Sequence, residues 1–346
     1  MQIRSVRWIG VAALLILGVY IASATWGAAE SGGRRIAVGE PAVVALRIEE
    51  VIQSVLTNHP DLEAGPPSTA QAPRAHRGRA GRLVVRPSSP SGRATQQWLE
   101  DLVDHLLFQA IESYWSQVRR IGEVEIRRQA VAEAEAMAAG SRGRADPEMA
   151  RLLARTAQTF LAEARIALHQ AVQQRDAGED ELKLLMNDET LSVSSETRLE
   201  LLTEAPEPLL IDDPDLLWGI ETAVHERLGA REDRRDKSAR REYEMLAMEV
   251  KSAHRRAKSA RAMFLLSRER LTAAQKALDA AARLGEAGEG ATAGLLLAEM
   301  RARQALTGAR GQELTARVDY EIAQAAWDRA LGRLAETWHV GIDAGR

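Results

Sequence analysis

The 346-residue chain contains no cysteine. It can therefore form neither a disulfide framework nor a thiolate zinc site, and a lipid-modified cysteine at a mature N-terminus is excluded. Aromatic residues make up only 4% of the sequence, with three Phe, although 45% of the residues are apolar. Compact cores depend on large aromatic side chains, whereas coiled coils are built from Ala, Leu, Glu, Arg and Gln. The composition favours long packed helices.

The sequence also has no pattern that indicates catalysis. Its seven histidines are scattered without metal-ligand spacing, and no phosphate-binding loop with a G-x-x-x-x-G-K-S/T pattern is present. Gly288 and Gly290 lie between helical segments rather than after a strand, so they do not form a dinucleotide loop. We predict that the chain is not an enzyme, and we expect no catalytic residue, cofactor or metal site.

A net charge of −3 gives no reason to expect a polyanionic partner. The arginines of residues 65–92 stand among Pro, Gly and Ser without interleaved aromatics, which indicates a solvated linker. We therefore predict no nucleic-acid partner.

Residues 1–29 resemble an export signal. Arg4 and Arg7 supply the positive charge, Trp8–Ile21 is apolar, and small residues that could mark a cleavage site follow. The apolar run is shorter than the roughly twenty residues of a membrane span. An uncleaved N-terminal anchor stays open as the alternative. Either way, the bulk of the chain is expected outside the cytoplasm.

Two long helical segments, joined by a glycine-rich turn near Gly288, show the alternating spacing of a coiled-coil seam. One seam runs along the first segment through Leu246, Val250, Ala253, Ala257, Ala260, Phe264, Ser267, Leu271, Ala274, Leu278 and Ala281. The other runs along the second segment through Ala302, Leu306, Ala309, Glu313, Ala316, Tyr320, Ala323, Trp327, Ala330 and Leu334. Alanine lets two helix backbones approach closely, so we predict a tight antiparallel hairpin. Leu314, Val318, Ile322 and Ala326 lie off this seam, which indicates packing against further helices.

The same device occurs earlier in the chain. Heptad rows run through Trp98–Ala139 and Met149–Met186, and the glycines and proline of residues 139–147 separate them. We predict an all-α fold of two long antiparallel coiled-coil hairpins that arose by internal duplication, with at most a few short strands.

Shorter segments connect these hairpins. Arg47–Ala64 is an amphipathic helix, preceded by a short strand or extended arm, and Leu83–Val85 is the one small strand expected in the linker. The tail from His339 is expected to fray. The predicted divisions are 1–29 (signal), 35–97 (N-terminal helix and linker), 98–188 (first hairpin), 189–242 (connector and charged helix) and 243–337 (second hairpin).

Four stretches resemble the TolC-like outer-membrane efflux protein family. The most specific is DYEIAQAAWDRALG (Asp319–Gly332), which is similar to the family's last helix, with Trp327 where Leu is usual. RIEEVIQSVLTNHPDLEA (Arg47–Ala64) resembles its opening helix. Two weaker matches are AIESYWSQV (Ala110–Val118) and EAGEGATAGLLLAE (Glu286–Glu299).

This resemblance implies a homotrimeric exit duct in which paired hairpins form a periplasmic tunnel below the outer membrane. The hairpin tips would dock onto a periplasmic adaptor protein and, through it, an inner-membrane pump. Gly288, Gly290, Ala291 and Thr292 would then contact the adaptor. Alternatively, these glycines merely reverse the chain, as they do at many helix ends.

The sequence departs from the family where membrane strands are expected. Such a strand needs about 9–11 residues of alternating pattern, and only Leu83–Val85 looks like part of one. We therefore expect a member with a reduced or missing β-barrel portion, located in the outer membrane or periplasm. The alternative function is a periplasmic coiled-coil structural or adaptor-like protein that has lost the pore.

Overall fold

The computed structural model describes residues 42–64, 74–77, 83–86, 93–140, 147–202, 215–228, 237–287 and 293–342. The predicted export signal lies outside them. In chain order the elements are β1 (Val43–Leu46), α1 (Ile48–Asn58), α2 (Pro60–Ala64), β2 (Arg74–Arg77), β3 (Leu83–Arg86), α3 (Arg93–Gly140), α4 (Pro147–Met186), β4 (Arg198–Leu201), α5 (Leu216–Ala223), α6 (Lys237–Ala287), α7 (Ala293–Ala330), α8 (Leu334–Thr337) and β5 (Val340–Ile342).

Two antiparallel helical hairpins dominate this part of the chain. Helices α3 and α4 form the first, and α6 and α7 form the second. The predicted all-α class with two long hairpins is confirmed, and α3 and α6 each begin a few residues before the predicted helices.

The predicted seam is the contact surface of the second hairpin. Its residues are buried or half-buried along both helices, as with Val250 and Ala309, both fully buried. The last predicted seam residue, Leu334, lies beyond the end of α7 and is buried in the largest hydrophobic cluster instead. Phe264 of α6 stacks on Tyr320 of α7 with 6.0 Å between ring centroids and 9° between ring planes. Alanine at the remaining seam positions keeps the two helices close, because interaxial distance follows the size of the contacting side chains.

The two hairpins pack against each other through α3 and α7. The residues predicted off the alanine seam form this second contact: Val318 and Ile322 are buried, and Leu314 meets α3 where Gly122 leaves room. A methyl group at Gly122 would lie 2.7 Å from a Leu314 methyl carbon. The lateral order of the helices is therefore α4, α3, α7, α6, with α4 and α6 at the two edges.

A short helix crosses each hairpin at the end opposite its turn. Helix α1 packs on α3 and α4, and Val51, Ile52, Val55 and Leu56 enter the largest hydrophobic cluster. Helix α5, continued by a π-helical turn at Val224–Leu228, packs on α6. A cross-helix followed by a hairpin thus occurs twice, as an internal duplication requires.

The end of α1 is fastened to the end of α4. Asn58 Nδ2 donates to the Met186 carbonyl (3.4 Å), and Asn187 Nδ2 donates to the Asn58 carbonyl (2.8 Å). Asn187 stands in the left-handed region, with φ 48°, and so ends α4. Asn58 of the motif that resembles the family therefore joins the cross-helix to the first hairpin.

Two small sheets differ from the sequence prediction. β1 pairs in parallel with β4, which lies in the stretch predicted as an irregular connector. β3 pairs with β2 and with β5. The predicted fraying of the tail is wrong for Val340–Ile342, because these residues form β5 and Val340 is buried. Short strands of this kind depend on distant partners, which local patterns do not reveal.

Two glycines inside helices make a matched test of packing. At Gly178 of α4 an added methyl group would collide with Arg120 Nη1 and Gln117 Oε1, and Gln117 is buried with its Nε2 donating to the Arg175 carbonyl (3.0 Å). At Gly308 of α7 no atom lies within 4 Å of an added methyl group. We expect Gly308→Ala to raise the free energy of unfolding by about 1 kcal/mol through helix propensity. Gly178→Ala should lower it by about 1–3 kcal/mol through overpacking.

Urea unfolding followed by circular dichroism measures both changes. If both substitutions raise the free energy of unfolding by the same amount, the α3–α4 contact tolerates a side chain at position 178, contrary to the prediction.

Candidate functional site

The four residues predicted to contact an adaptor, Gly288, Gly290, Ala291 and Thr292, lie outside the described residues. Helix α6 ends at Ala287 and α7 begins at Ala293, so the four belong to the connection between these helices. Their role stays a prediction.

A different surface stands out on α6, on a face turned away from its hairpin partner. Exposed residues recur there at spacings of three and four, the period of a second helix-packing stripe. We name as the outer stripe of α6 the residues Met245, Met248, Ser252, Arg255, Ser259, Met263, Leu266, Arg270, Ala273, Ala277, Ala280 and Leu284. Its large apolar members are strongly exposed: Met248 at 70% and Leu266 at 58%. The sequence prediction missed this stripe, although its spacing could have revealed it.

Helix α4, at the opposite edge, carries a corresponding surface. The outer stripe of α4 comprises Arg155, Thr159, Ala162, Ile166, His169, Gln173, Ala177, Asp180 and Leu184. Leu184 is 72% exposed and Ile166 59%. In the part of the chain that the structure describes, α4 packs on α3 and α1 and makes no extensive contact with α6 or α7. Both lateral edges therefore present apolar and small residues to solvent.

A basic part of α6 and a weakly acidic end of α4 give the two edges different charge. Between residues 251 and 270, α6 has two lysines and five arginines but a single carboxylate, Glu269. The last turns of α4 contain four carboxylates beside Arg175 and Lys183; among the described residues, Asp176, Glu179 and Glu181 are in ion pairs, and exposed Asp180 is not.

A chain of contacts places these charges at one level across the four helices. Glu181 of α4 accepts a hydrogen bond from Arg120 of α3 (2.7 Å). Arg119, the neighbouring residue of α3, forms an ion pair with Asp319 of α7 (3.5 Å). The next residue of α7, Tyr320, stacks on Phe264 of α6. The acidic end of α4 and the basic part of α6 therefore occupy opposite edges at the same height.

Ion pairs fix the relative position of the two hairpins between these edges. Arg329 Nε of α7 donates to Asp104 Oδ2 of α3 (2.9 Å), and burial raises the pKa of Asp104 although Arg329 opposes this effect. Towards the turns, Glu133 of α3 lies 3.4 Å from Arg303 and 3.8 Å from Arg310. These pairs set the register of α3 against α7.

A buried pair fixes β4 on α4. Lys183 Nζ lies 2.9 Å from Glu179 Oε1 and donates to the Thr197 carbonyl, while Leu199 N donates to Glu179 Oε1 (3.2 Å). Both charged side chains are buried, at 4% and 6% exposure. Because both side chains also bond to the backbone of residues 197 and 199, the pair holds β4 in one position on α4.

Among the residues that the structure describes, no three His, Asp or Glu side chains come together in a way that could hold a metal ion. None of the helices within the same residues is long and apolar enough to cross a membrane.

Comparison with known proteins identifies the fold. No protein-family model and no curated protein sequence matches the chain. Among solved structures, it is similar to the outer membrane channel CmeC of Campylobacter jejuni, with 12% identity over 83% of this chain and 86% of that one and a TM-score of 0.54. It is also similar to a membrane protein from Pseudomonas aeruginosa, with 16% identity over 73% and 70% and a TM-score of 0.50. The chain therefore has the helical-hairpin fold of TolC-like outer-membrane channels, which confirms the resemblance predicted from the sequence at the level of the fold.

The half-buried carboxylate of Glu321 on α7 gives a testable pH dependence of stability. Burial raises the pKa of Glu321, and the positive charge of Arg317 opposes this only in part. Because the folded state then holds the proton more tightly than the unfolded state, stability falls as pH rises through the pKa of the folded state. Glu321→Gln removes this effect, so we expect it to stabilise the fold near pH 7.5 and to change stability little near pH 4, around the ordinary carboxyl pKa.

Urea unfolding at both pH values tests this expectation. The expectation is wrong if Glu321→Gln changes the free energy of unfolding by the same amount at both pH values.

Proposed function

We propose that the chain is an outer-membrane-factor-like component of an efflux or type I secretion system. Its hairpins would line a periplasmic tunnel that docks onto an adaptor protein. The observation that carries the proposal is the pair of open lateral edges, the outer stripes of α4 and α6. The fold of an outer membrane channel supports it.

The position of the two stripes favours a closed ring of copies. They are different surfaces at opposite edges of one chain, so a contact between them is head-to-tail, and repeated rotation closes it into a ring. A soluble monomer rarely exposes continuous apolar surface of this kind without a partner. The family resemblance sets the expected number of copies at three.

Charge supports α4 of one copy as the partner of α6 of the next. The exposed carboxylate of Asp180, beside Glu181, which Arg120 already pairs, stands at the height of the basic residues of α6, and Lys251, Arg256 and Arg270 make no ion pair within the described chain. Opposite charges at the same height favour the register in which α4 of one copy meets α6 of the next. Two α6 helices would repel each other, because their basic residues would meet. The outer stripes would bury their apolar residues between these charges.

Docking would occur at the turn of the second hairpin, through Gly288, Gly290, Ala291 and Thr292. Small residues there would allow the backbone of an adaptor hairpin to come close, and the adaptor would link the tunnel to an inner-membrane pump. The chain would be exported and would act in the outer membrane or periplasm. It would have no enzymatic activity, because transport through a tunnel needs no reactive side chain in its wall.

Two adjacent leucines on α6 give a matched test of the ring. Successive residues of a helix are about 100° apart, so Leu266 belongs to the outer stripe whereas Leu265 lies outside it. Leu266→Asp should raise the dissociation constant of the trimer about tenfold or more, because an apolar side chain is lost from the contact and a charged one, four residues before Arg270, must be desolvated in its place. Leu265→Asp should leave the trimer intact. Gentle extraction followed by light scattering measures both variants beside the unchanged chain.

Three results would contradict parts of this proposal. Equal effects of the two substitutions would place the contact elsewhere. An unchanged chain that is a monomer or dimer and needs no detergent would support the alternative, a periplasmic coiled-coil structural or adaptor-like protein. If the chain is a trimer that needs detergent and Leu266→Asp does not weaken it, the proposed duct stands, but the outer stripe is not its contact surface.

The turn of the second hairpin is tested separately. Gly288→Trp and Gly290→Trp should abolish binding of an adaptor while the helical circular dichroism stays unchanged, because bulky side chains would keep the adaptor's backbone away. Arg301→Trp, on the exposed face of α7, is the control and should preserve binding. Pull-down with a co-expressed adaptor measures the effect, and full binding by both glycine variants would assign the glycines to chain reversal alone.

A further inference from the structure

Three exposed methionines lie together on one surface. Met245, Met248 and Met263 are 62%, 70% and 57% exposed, and all three belong to the outer stripe of α6. By contrast, Met186 and Met300 are buried, at 1% and 7% exposure. The stripe therefore combines an apolar surface that no described residue covers with three exposed thioether groups.

These thioethers matter because the chain contains no cysteine. The side chain that peroxide oxidises reversibly is then methionine, whose sulfoxide is polar where the thioether is apolar. We propose that oxidation of Met245, Met248 and Met263 to sulfoxides prevents α6 from packing on the next copy, and that reduction restores this packing. The inference rests on the proposed ring of copies and adds a redox control to its contact surface.

The chemistry is a two-electron oxygen transfer from hydrogen peroxide. A sulfur lone pair attacks one peroxide oxygen, the O–O bond breaks and an S–O bond forms. The proton of the transferred hydroxyl moves to the departing hydroxide, which leaves as water. Sulfur is oxidised and peroxide is reduced, so each sulfoxide consumes one peroxide molecule. In the reverse direction a dithiol reductant, acting through methionine sulfoxide reductases, becomes a disulfide and returns the thioether and water.

The position of the three residues decides when oxidation acts. In an isolated chain their sulfur atoms are open to solvent, whereas a neighbouring copy on the stripe would cover them. The switch therefore acts on chains that have not yet assembled, and an assembled ring protects itself. A sulfoxide oxygen brought into the contact would lose its water without gaining a designed donor, which disfavours association.

The test uses the full chain, extracted gently and diluted until it dissociates. Hydrogen peroxide is added and then removed with catalase, and peptide mass spectrometry quantifies each sulfoxide. Mass photometry over a concentration series gives the assembly midpoint. We expect oxidation to raise that midpoint about tenfold or more, the effect of one poorly solvated polar group. Treatment with both methionine sulfoxide reductases, one for each sulfoxide epimer, should restore the original midpoint.

Two triple variants separate the stripe from general oxidation. M245L/M248L/M263L keeps an apolar stripe, so it should assemble like the unoxidised chain and be insensitive to peroxide. M137L/M186L/M300L removes three methionines outside the stripe and should stay as sensitive as the unchanged chain. In addition, Met248→Gln places a polar group in the stripe without oxidation and should itself weaken assembly. Methionines of the assembled chain should be oxidised more slowly than those of the dissociated chain.

The outcomes distinguish this inference from the function on which it rests. If the unoxidised chain and M245L/M248L/M263L both fail to assemble at any concentration, the proposed ring is wrong and the inference falls with it. If the chain assembles and the three sulfoxides form without moving the midpoint, the redox inference is overturned and the ring stands. A loss of helical circular dichroism on oxidation would also overturn it, because the effect would then be unfolding.

Discussion

The close approach of α6 and α7 along the alanine seam is the constraint on which the rest of the structure depends. A narrow seam occupies one face of each helix and leaves little room for large side chains, which stand only at a few positions such as Phe264 and Tyr320. Apolar residues at other positions must therefore face something else. On α7 they meet α3, and this contact joins the hairpins. On α6 they meet solvent, and this exposure creates the candidate assembly surface.

Burial is distributed unevenly along the hairpins as a consequence. At the end opposite the turns, the cross-helices cover the long helices and the largest hydrophobic cluster gathers there. Towards the turns, a separate small cluster contains only Ala274, Leu306 and Ala309 with two half-buried leucines. Ion pairs such as Arg303–Glu133 make up more of the contacts there. Ion pairs with partial exposure contribute only about 0–1 kcal/mol each. The distal part of each hairpin would therefore gain most from a neighbouring copy.

Several parts of the fold were predictable because their signals are local and periodic. The seven-residue rows indicated all four long helices and their pairing, and the residues off the alanine seam indicated a second packing partner for α7. β4 and β5 were not predictable, since three- or four-residue strands form only where a distant strand meets them. The outer stripe of α6 is an intermediate case: its spacing is present in the sequence, but mixed charge between its apolar residues concealed it. Only the packing of α6 showed that this face has no partner among the residues that the structure describes.

The sequence by itself determined which residues of each long helix face a partner, because the helical period converts spacing into direction. It also determined the absence of thiol chemistry and the resemblance that the fold comparison supports. Tertiary structure alone decided that α3 and α7 lie inside while α4 and α6 lie at the edges, since this order depends on contacts between residues about 200 positions apart, such as Asp104 with Arg329. The same order brings the acidic end of α4 and the basic part of α6 to one height. Periodicity gives a helix its faces, and only packing decides which face remains open.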